Sequence, residues 1–288
     1  MKMLKWSCCL VWLLVAACGK SGSEGPDEPV NPPAGNEMIM NGQTLKIMTY
    51  NIHHANPPAN ANVIDVGGIA AIISREKPDI VALQEVDVKT QRSGVTLDQA
   101  QDLAARTGMR VFFSKSIDYQ GGGYGNAILS KYPIQSSVRH ELPLPVGAAP
   151  SVEIRTMAVV EVKAEGNNKI YFASAHLEVS DTEARNLQVD RIREISSSLG
   201  APLFLGGDFN AQPGSESINR LIAGSAFGSG CISNNCPYTF PAQSPTRTID
   251  FIFLNDKAGL DFSVIEYKAL NEPGASDHLP VLCQVKYK

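Results

Sequence analysis

Eight short apolar runs rich in β-branched residues limit what this chain can fold into. They occupy 45–52 (LKIMTYNI), 79–86 (DIVALQEV), 125–130, 153–164, 169–177 (KIYFASAHL), 201–208 (APLFLGGD), 248–255 (TIDFIFLN) and 278–287. Each is bounded by turn residues, as strands are. Between some of them lie helical patterns, at 63–76, at 97–107 with Gly108 as the stop, and at 181–199. In the last, Ala184, Leu187, Ile192, Ile195 and Leu199 recur at helical spacing, and Ser180 with Glu183 offers a capping box. Strands mixed with helices predict an α/β protein with more than one sheet layer. The runs 153–164 and 169–177, joined by Glu–Gly–Asn–Asn, read as an antiparallel hairpin, so the sheets are mixed and neither a pure Rossmann fold nor a TIM barrel fits. No tandem short repeat is visible, which sets solenoids and propellers aside.

The first residues carry an address rather than a fold. Lys2 and Lys5 precede the run Leu10–Val15, and Ala16–Ala17 lead into Cys18. A basic start, a short apolar core and small residues before a cleavage point make a secretory signal, too short to span a bilayer as a stable helix. Val15–Ala16–Ala17–Cys18 also resembles the bacterial lipoprotein box, in which the cysteine is lipidated. The expectation is a signal peptide at 1–17, then lipidated Cys18 with a Gly/Ser/Pro-rich tether to residue 40, and one catalytic domain at 41–288. That places the protein in the cell envelope, lipid-anchored to a bacterial membrane on its periplasmic or surface face. A monomer is expected.

Charge narrows the partner. The whole chain has 25 Lys+Arg against 29 Asp+Glu. Without Lys2 and Lys5 of the signal the balance is 23 against 29, or −6. Nothing in that balance attracts a polyanion at long range, so avid binding to long nucleic acid is not favoured.

The informative polar residues sit beside the apolar runs: Asn51, Glu85, His176, Asp208 with Asn210, Asp250, and Asp277 with His278. Side chains from the ends of several strands converge on one rim of a sheet. Glu85, Asp277 and Asn51 are hard oxygen donors suited to Mg²⁺, with Mn²⁺ as a substitute. Asp208 and Asn210, two apart on one strand exit, can face one pocket, and His176 and His278 can move protons or hold a developing oxyanion. A cation, a water-orienting carboxylate, an amide donor and imidazoles together suit hydrolysis of a phosphate ester.

At this point the chain resembles the endonuclease/exonuclease/phosphatase superfamily of metal-dependent phosphoesterases. The matching stretches are TYNIHH (49–54), LQEVD (83–87), YGNAILSKYPI (124–134), SAHLE (174–178), GGDFNA (206–211), YTFPAQSPTRTIDFIF (238–253) and SDHLPV (276–281). The resemblance implies a four-layer sandwich, two mixed β-sheets face to face with helices outside. It implies Asn51 and Glu85 as the metal site of the first half, completed by Asp277, and Asp208 as the residue that orients or deprotonates the attacking water. It further implies that Asn210 holds the phosphoryl oxygen, that Asp250 fixes His278, and that His278 touches the phosphate. His176 is similar to the second catalytic histidine of the sphingomyelinase-like and deoxyribonuclease-like branches, and Asn126 is a softer candidate for a pocket contact. Position 53 is His where the abasic-site endonucleases have an acid, and His176 stands where they have Tyr. The membrane-inserting aromatic hairpin of the sphingomyelinase branch is not evident in the sequence.

The remaining singled-out residues read more plainly. Arg155 either grips substrate phosphate or pairs with Glu153. His53, His54 and His140 read as ordinary histidines, since adjacent imidazoles at a strand exit need further partners to bind a metal. Gly121–Gly123 reads as a flexible loop, and Arg92 and Ser93 as loop residues. Cys231 and Cys236 flank a short polar stretch in a compartment that permits disulfides, so a local bridge is preferred, with zinc as the rival. Cys283, in an apolar run, reads as an inert core thiol. The leading expectation is a Mg²⁺-dependent phosphodiesterase or phosphatase acting on a small or lipid-linked phosphate in the envelope. A secreted nuclease and a non-catalytic surface-binding lipoprotein are the alternatives, and stretches near 113–125, 140–152 and 224–246 are expected to choose the substrate.

Overall fold

The computed structural model describes residues 43–60, 62–164, 168–231 and 235–288. The signal, Cys18 and the whole tether lie outside these residues. In chain order the elements begin β1 (Thr44–Asn51), α1 (Val66–Glu76), β2 (Ile80–Val88), α2 (Gln99–Thr107), β3 (Arg110–Tyr119) and β4 (Gly122–Ser130). There follow β5 (Ile134–Leu142), β6 (Arg155–Lys163), β7 (Lys169–His176), α3 (Thr182–Leu199), β8 (Leu203–Asp208) and α4 (Glu216–Ile222). The last are β9 (Phe227–Ser229), β10 (Asp250–Asn255), α5 (Asp256–Asp261), β11 (Phe262–Ala269) and β12 (Val281–Tyr287).

They build two six-stranded sheets, ordered β11-β12-β1-β2-β4-β3 and β5-β6-β7-β8-β10-β9. Both are mixed. β1 runs parallel to β2 and β7 parallel to β8, whereas their other neighbours are antiparallel. The β6–β7 hairpin is the antiparallel pair expected from the sequence.

Strand alternation sorts the side chains into three apolar layers. Ile47, Ile80, Phe172, Phe204 and Ile252 meet between the sheets. Met48, Tyr50, Val81 and Leu83 face outward against α1 and α2. Ala173, Ala175, Leu203, Leu205 and Phe253 face outward against α3 and α4. The result is the four-layer α/β sandwich. The sheets approach closely at Gly206, where a Cβ would stand 2.8 Å from that of Ala82 and 3.0 Å from that of Thr49. Beside it lies a buried polar tie: Gln84 donates to Ser174 Oγ at 2.9 Å, and Ser174 donates to the Leu83 carbonyl at 2.8 Å.

Several local expectations need correction. The cap of α3 is Asp181, which accepts from the Ala184 amide, while Ser180 turns its hydroxyl to Glu178. The carboxylate directly before the first helical residue reaches the free amide, so the box one residue upstream is not used. Gly121–Gly123 is not a loose loop. Gly121 takes φ +82° in the turn, and Gly122 and Gly123 lie within β4, where a Cβ on Gly122 would meet the Val88 carbonyl at 2.3 Å. For the same reason most of 113–125 is strand rather than substrate-selecting loop. Cys231 and Cys236 are joined as a disulfide. Cys283 is buried in the inter-sheet core, where burial pushes its thiol up to about 12. No helix among the described residues is long and apolar enough to cross a membrane.

Candidate active site

The alternation that fills the inter-sheet core also delivers the polar residues. In β1, Leu45 and Ile47 point between the sheets, so Asn51 arrives at the rim on that face. In β8, Phe204 sets the same phase for Asp208, and in β7, Phe172 sets it for His176. β10 runs the other way, so its first residue, Asp250, lies directly opposite Asp208 in register. Glu85 is the exception. Between Leu83 and Val86 the register of β2 against β4 shifts, and Glu85 takes φ +57°. This is a bulge, with Gln84 and Glu85 opposing Asn126 alone, and it re-aims a residue that regular alternation would send elsewhere.

Asp208 is the hub. It is 2% exposed; Asn51 Nδ2 donates to its Oδ2 at 3.0 Å, and the Asn210 amide to its Oδ1 at 2.9 Å. The other hydrogen of that Asn51 amide goes to Glu85 Oε1 at 3.0 Å, and Asn51 Oδ1 accepts from the His53 amide at 3.0 Å. Asn51 therefore bridges two carboxylates as a donor, with its oxygen already engaged. That differs from its expected place as an oxygen ligand, since a flipped amide would set oxygen against both carboxylates. Ser276 secures the same strand end by donating to the Asn51 carbonyl at 2.7 Å.

Two imidazoles flank Asp208 in opposite states. His278 Nδ1 lies 2.9 Å from Asp250 Oδ2, and its Nε2 lies 3.7 Å from Asp208 Oδ2. Burial opposes charge on this ring, but Asp250 and Asp208 outweigh it and raise His278 to about 10, so it stays an imidazolium. His176 goes the other way: burial, then Arg155, then His278, hold it well below its ordinary value. Arg155 Nη1 approaches His176 Nδ1 at 3.2 Å and Asn210 Nδ2 approaches its Nε2 at 3.1 Å, so each ring nitrogen faces a group that can only donate. Nε2 also lies 3.5 Å from Asp208 Oδ2. The Asn210 side-chain amide further donates to the Leu177 carbonyl at 3.0 Å, which holds it beside His176 in the cavity. Asp208 itself is raised to about 7 by burial, with Asp250 adding and His278 opposing. A carboxylate near neutrality can take a proton from water.

These groups open onto a cavity of about 390 Å³ lined by Glu85, Asp208, Asn210, His176, Asp277 and His278, among others. Sequence reasoning missed several of its walls. Phe240 packs against His278 with ring centroids 4.7 Å apart, and the Arg247 guanidinium lies 4.7 Å from the Phe240 ring centroid. Tyr124, Glu153 and Glu178 also line it. Glu178, only 1% exposed, was visible two residues after His176 in SAHLE; its Oε2 accepts from the Glu153 amide at 3.1 Å. Arg155 shows the expected pairing with Glu153, at 3.0 Å. It lines the cavity and also pairs with Glu178 at 3.6 Å. Asn126 does not line the cavity: it is 1% exposed and donates to the Thr156 carbonyl at 2.7 Å, tying the sheets together. Arg92 and Ser93 are more than loop residues, since both donate to buried Asp87, and Arg92 stacks over Tyr119 at 4.5 Å.

The donor set suits a divalent cation at one side of this cavity. Glu85 and Asp277 bring carboxylate oxygens, and neither is enclosed by a matching cation among the described residues. Asp250 and His278, by contrast, satisfy one another.

The family model described as "Endonuclease/Exonuclease/phosphatase family" matches residues 48–278. The chain belongs to this family, whose members are metal-dependent phosphoester hydrolases. Among solved structures, an endonuclease/exonuclease/phosphatase family protein from Bacteroides thetaiotaomicron is 21% identical, with TM-score 0.71, covering 86% of this chain and 99% of its own. A mannosyl-6-phosphatase from Bacteroides thetaiotaomicron is 20% identical, with TM-score 0.68, covering 84% of this chain and 100% of its own. The human Nocturnin catalytic domain is 21% identical, with TM-score 0.64, covering 85% and 94%. At these identities the likeness is one of fold. No curated protein sequence matches.

Proposed function

We propose that the protein hydrolyses a small or lipid-linked phosphate ester, as a phosphatase or phosphodiesterase, in a bacterial cell envelope to which Cys18 anchors it. The observation that carries this reading is the setting of Asp208: buried, near neutrality, and flanked by an imidazolium and a neutral imidazole at the floor of the cavity. Asp208 accepts the proton of the attacking water. His278 holds positive charge toward a phosphoryl oxygen, and Asp250 fixes its ring. The Asn210 side-chain amide, held beside His176, donates to the oxygen on which charge develops. Glu85 and Asp277 hold a divalent cation, Mg²⁺ or Mn²⁺, with Asn51 orienting Glu85; bound there, the cation supplies Lewis-acid polarisation of the ester.

The cavity wall favours a small substrate over a polynucleotide. Five carboxylates line it (Glu85, Glu153, Glu178, Asp208, Asp277) against two guanidinium groups, Arg155 and Arg247. A long polyanion needs a basic track, which this wall does not offer. The fold shared with a mannosyl-6-phosphatase makes sugar phosphates a sensible first substrate panel. The deciding experiment is hydrolysis of p-nitrophenyl phosphate beside bis-p-nitrophenyl phosphate, with and without Mg²⁺ or Mn²⁺, on wild type and Asp208→Asn. Turnover that needs both the cation and Asp208 supports the reading. Equal turnover by Asp208→Asn sinks it.

A further inference from the structure

His53 and His54, passed over in the sequence as two neighbouring histidines without partners, acquire partners in the fold. Immediately after β1 the chain makes a single turn of 3-10 helix, His53–Ala55, and its residues take left-handed backbone angles, φ +46°, +44° and +57°. None of the three is a glycine, so the surroundings hold this backbone in a sparsely populated region. The turn brings one ring nitrogen from each histidine and a Glu85 carboxylate oxygen within 4.8 Å of one another. Two ligand atoms bound about 2.1 Å from one ion stand about 3 Å apart when adjacent and about 4.2 Å apart when opposite, so small rotamer changes would close the set on a cation. Asp277 Oδ1 lies 3.8 Å from His53 Nδ1, which joins the second carboxylate of the cavity to the same corner.

Two details favour nitrogen ligation over mere proximity. His53 Nδ1 lies 3.3 Å from the Asn56 carbonyl, which can only accept, so the ring hydrogen sits on Nδ1 and Nε2 keeps a bare lone pair. Ligating histidines are commonly fixed in this way, by a hydrogen bond from the other ring nitrogen to a backbone carbonyl. His54 Nδ1 is buried and has no hydrogen-bond partner. Imidazole is a borderline donor that suits Mn²⁺, Co²⁺ or Zn²⁺, while Mg²⁺ prefers oxygen and keeps its waters.

We propose that His53 and His54 join Glu85 in holding the divalent cation, so that this site selects a borderline transition-metal ion over Mg²⁺. The inference rests on the reading of Glu85 as a cation ligand. Its test is spectroscopic. Mn²⁺ is titrated into the intact protein by electron paramagnetic resonance, followed by pulsed measurement of nitrogen coupling, with ¹⁵N-histidine labelling to identify the donor, and by competition with Mg²⁺. The expected result is bound Mn²⁺ with a histidine nitrogen coupling, displaced only when Mg²⁺ is in at least about tenfold excess over Mn²⁺. His54→Gln and His53→Asn should each weaken the coupling and narrow the preference, and Glu85→Gln should leave both ions largely unbound at the concentrations that just saturate the wild type. Mn²⁺ that is bound and lost in Glu85→Gln but lacks nitrogen coupling in wild type overturns the inference and leaves the phosphoesterase reading standing. Nitrogen coupling that survives Glu85→Gln overturns it too, by locating the ion elsewhere. If neither ion binds, both readings are overturned.

Discussion

The two sides of the cavity are built on opposite plans. On one side, Asp208, Asp250, His176 and His278 are at most 6% exposed, and hydrogen bonds and short charge contacts hold every one of them. On the other, Glu85, His53, His54 and Asp277 are partly exposed, reached through a bulge and a left-handed turn, and linked by few bonds. The first side is finished by the protein alone, with its protonation states set by burial and by one another. In the proposed reading, the second is the side that takes a cation. Preorganised groups cost no rearrangement when the reaction occurs, while a half-made corner makes activity answer to the supply of an ion.

That contrast can be broken in order of expected effect. Asp208→Asn should lower kcat by about 10³-fold or more, since it removes the general base, and should leave the cation titration nearly unchanged. Steady-state rates at several Mn²⁺ concentrations separate the two quantities. Asp250→Asn attacks the same side through stability and should cost about 3–5 kcal/mol by urea unfolding at pH 6, because it leaves His278 a buried charge without its partner. The sign follows from His278 being raised from 6.5 to about 10. Its pairing stabilises fully below about pH 6.5 and is lost as pH rises through about 10, so the gap between variant and wild type should close above pH 10. A gap that is constant from pH 6 to pH 11 would show that His278 is not the group responsible.

Glu85→Gln tests the other side. It should raise the cation concentration needed for half-maximal rate by about 10- to 100-fold, with kcat at saturation changed far less. If Asp208→Asn and Glu85→Gln shift the cation titration equally, the two sides are not distinct. The smallest effect is expected from Arg247→Met, which keeps apolar contact with Phe240 while removing a cavity cation. KM for an anionic ester should rise about fivefold with kcat unchanged, on the order of one charged contact at a rim.

The buried side was also the more legible in the sequence. Period-two runs such as KIYFASAH and LFLGGD fix the phase that carries His176 and Asp208 inward, so burial and chemistry read from one pattern. The open side has no such rule. A non-glycine residue at φ +57° in a bulge leaves no mark in composition, so the run 79–86 points to Glu85 without showing how it is aimed. Edge strands were lost for a related reason. β5 (IQSSVRHEL) buries only its two end residues, and β11 (FSVIEYKA) buries only Phe262. With water on most of their length, their alternation has little apolar signal to show. The lining of Phe240 and Arg247 depends on a loop returning to the rim, a matter of tertiary closure beyond any local pattern.

Gly206 gives the cavity an unexpected handle. It lies two residues before Asp208 on the same face, at the point where a side chain would press on Ala82 and Thr49 of the opposite sheet. The single hydrogen atom there acts as a shim: its thickness sets how far apart the sheets stand beneath the reacting groups. Gly206→Ala would add one methyl group with nowhere to go, at about 1–3 kcal/mol of overpacking strain. The displacement would be transmitted upward along β8, widening the gap between Asp208 and the carboxylate of Glu85. Catalytic spacing in this protein is therefore adjustable from below, by a position that touches neither water nor substrate.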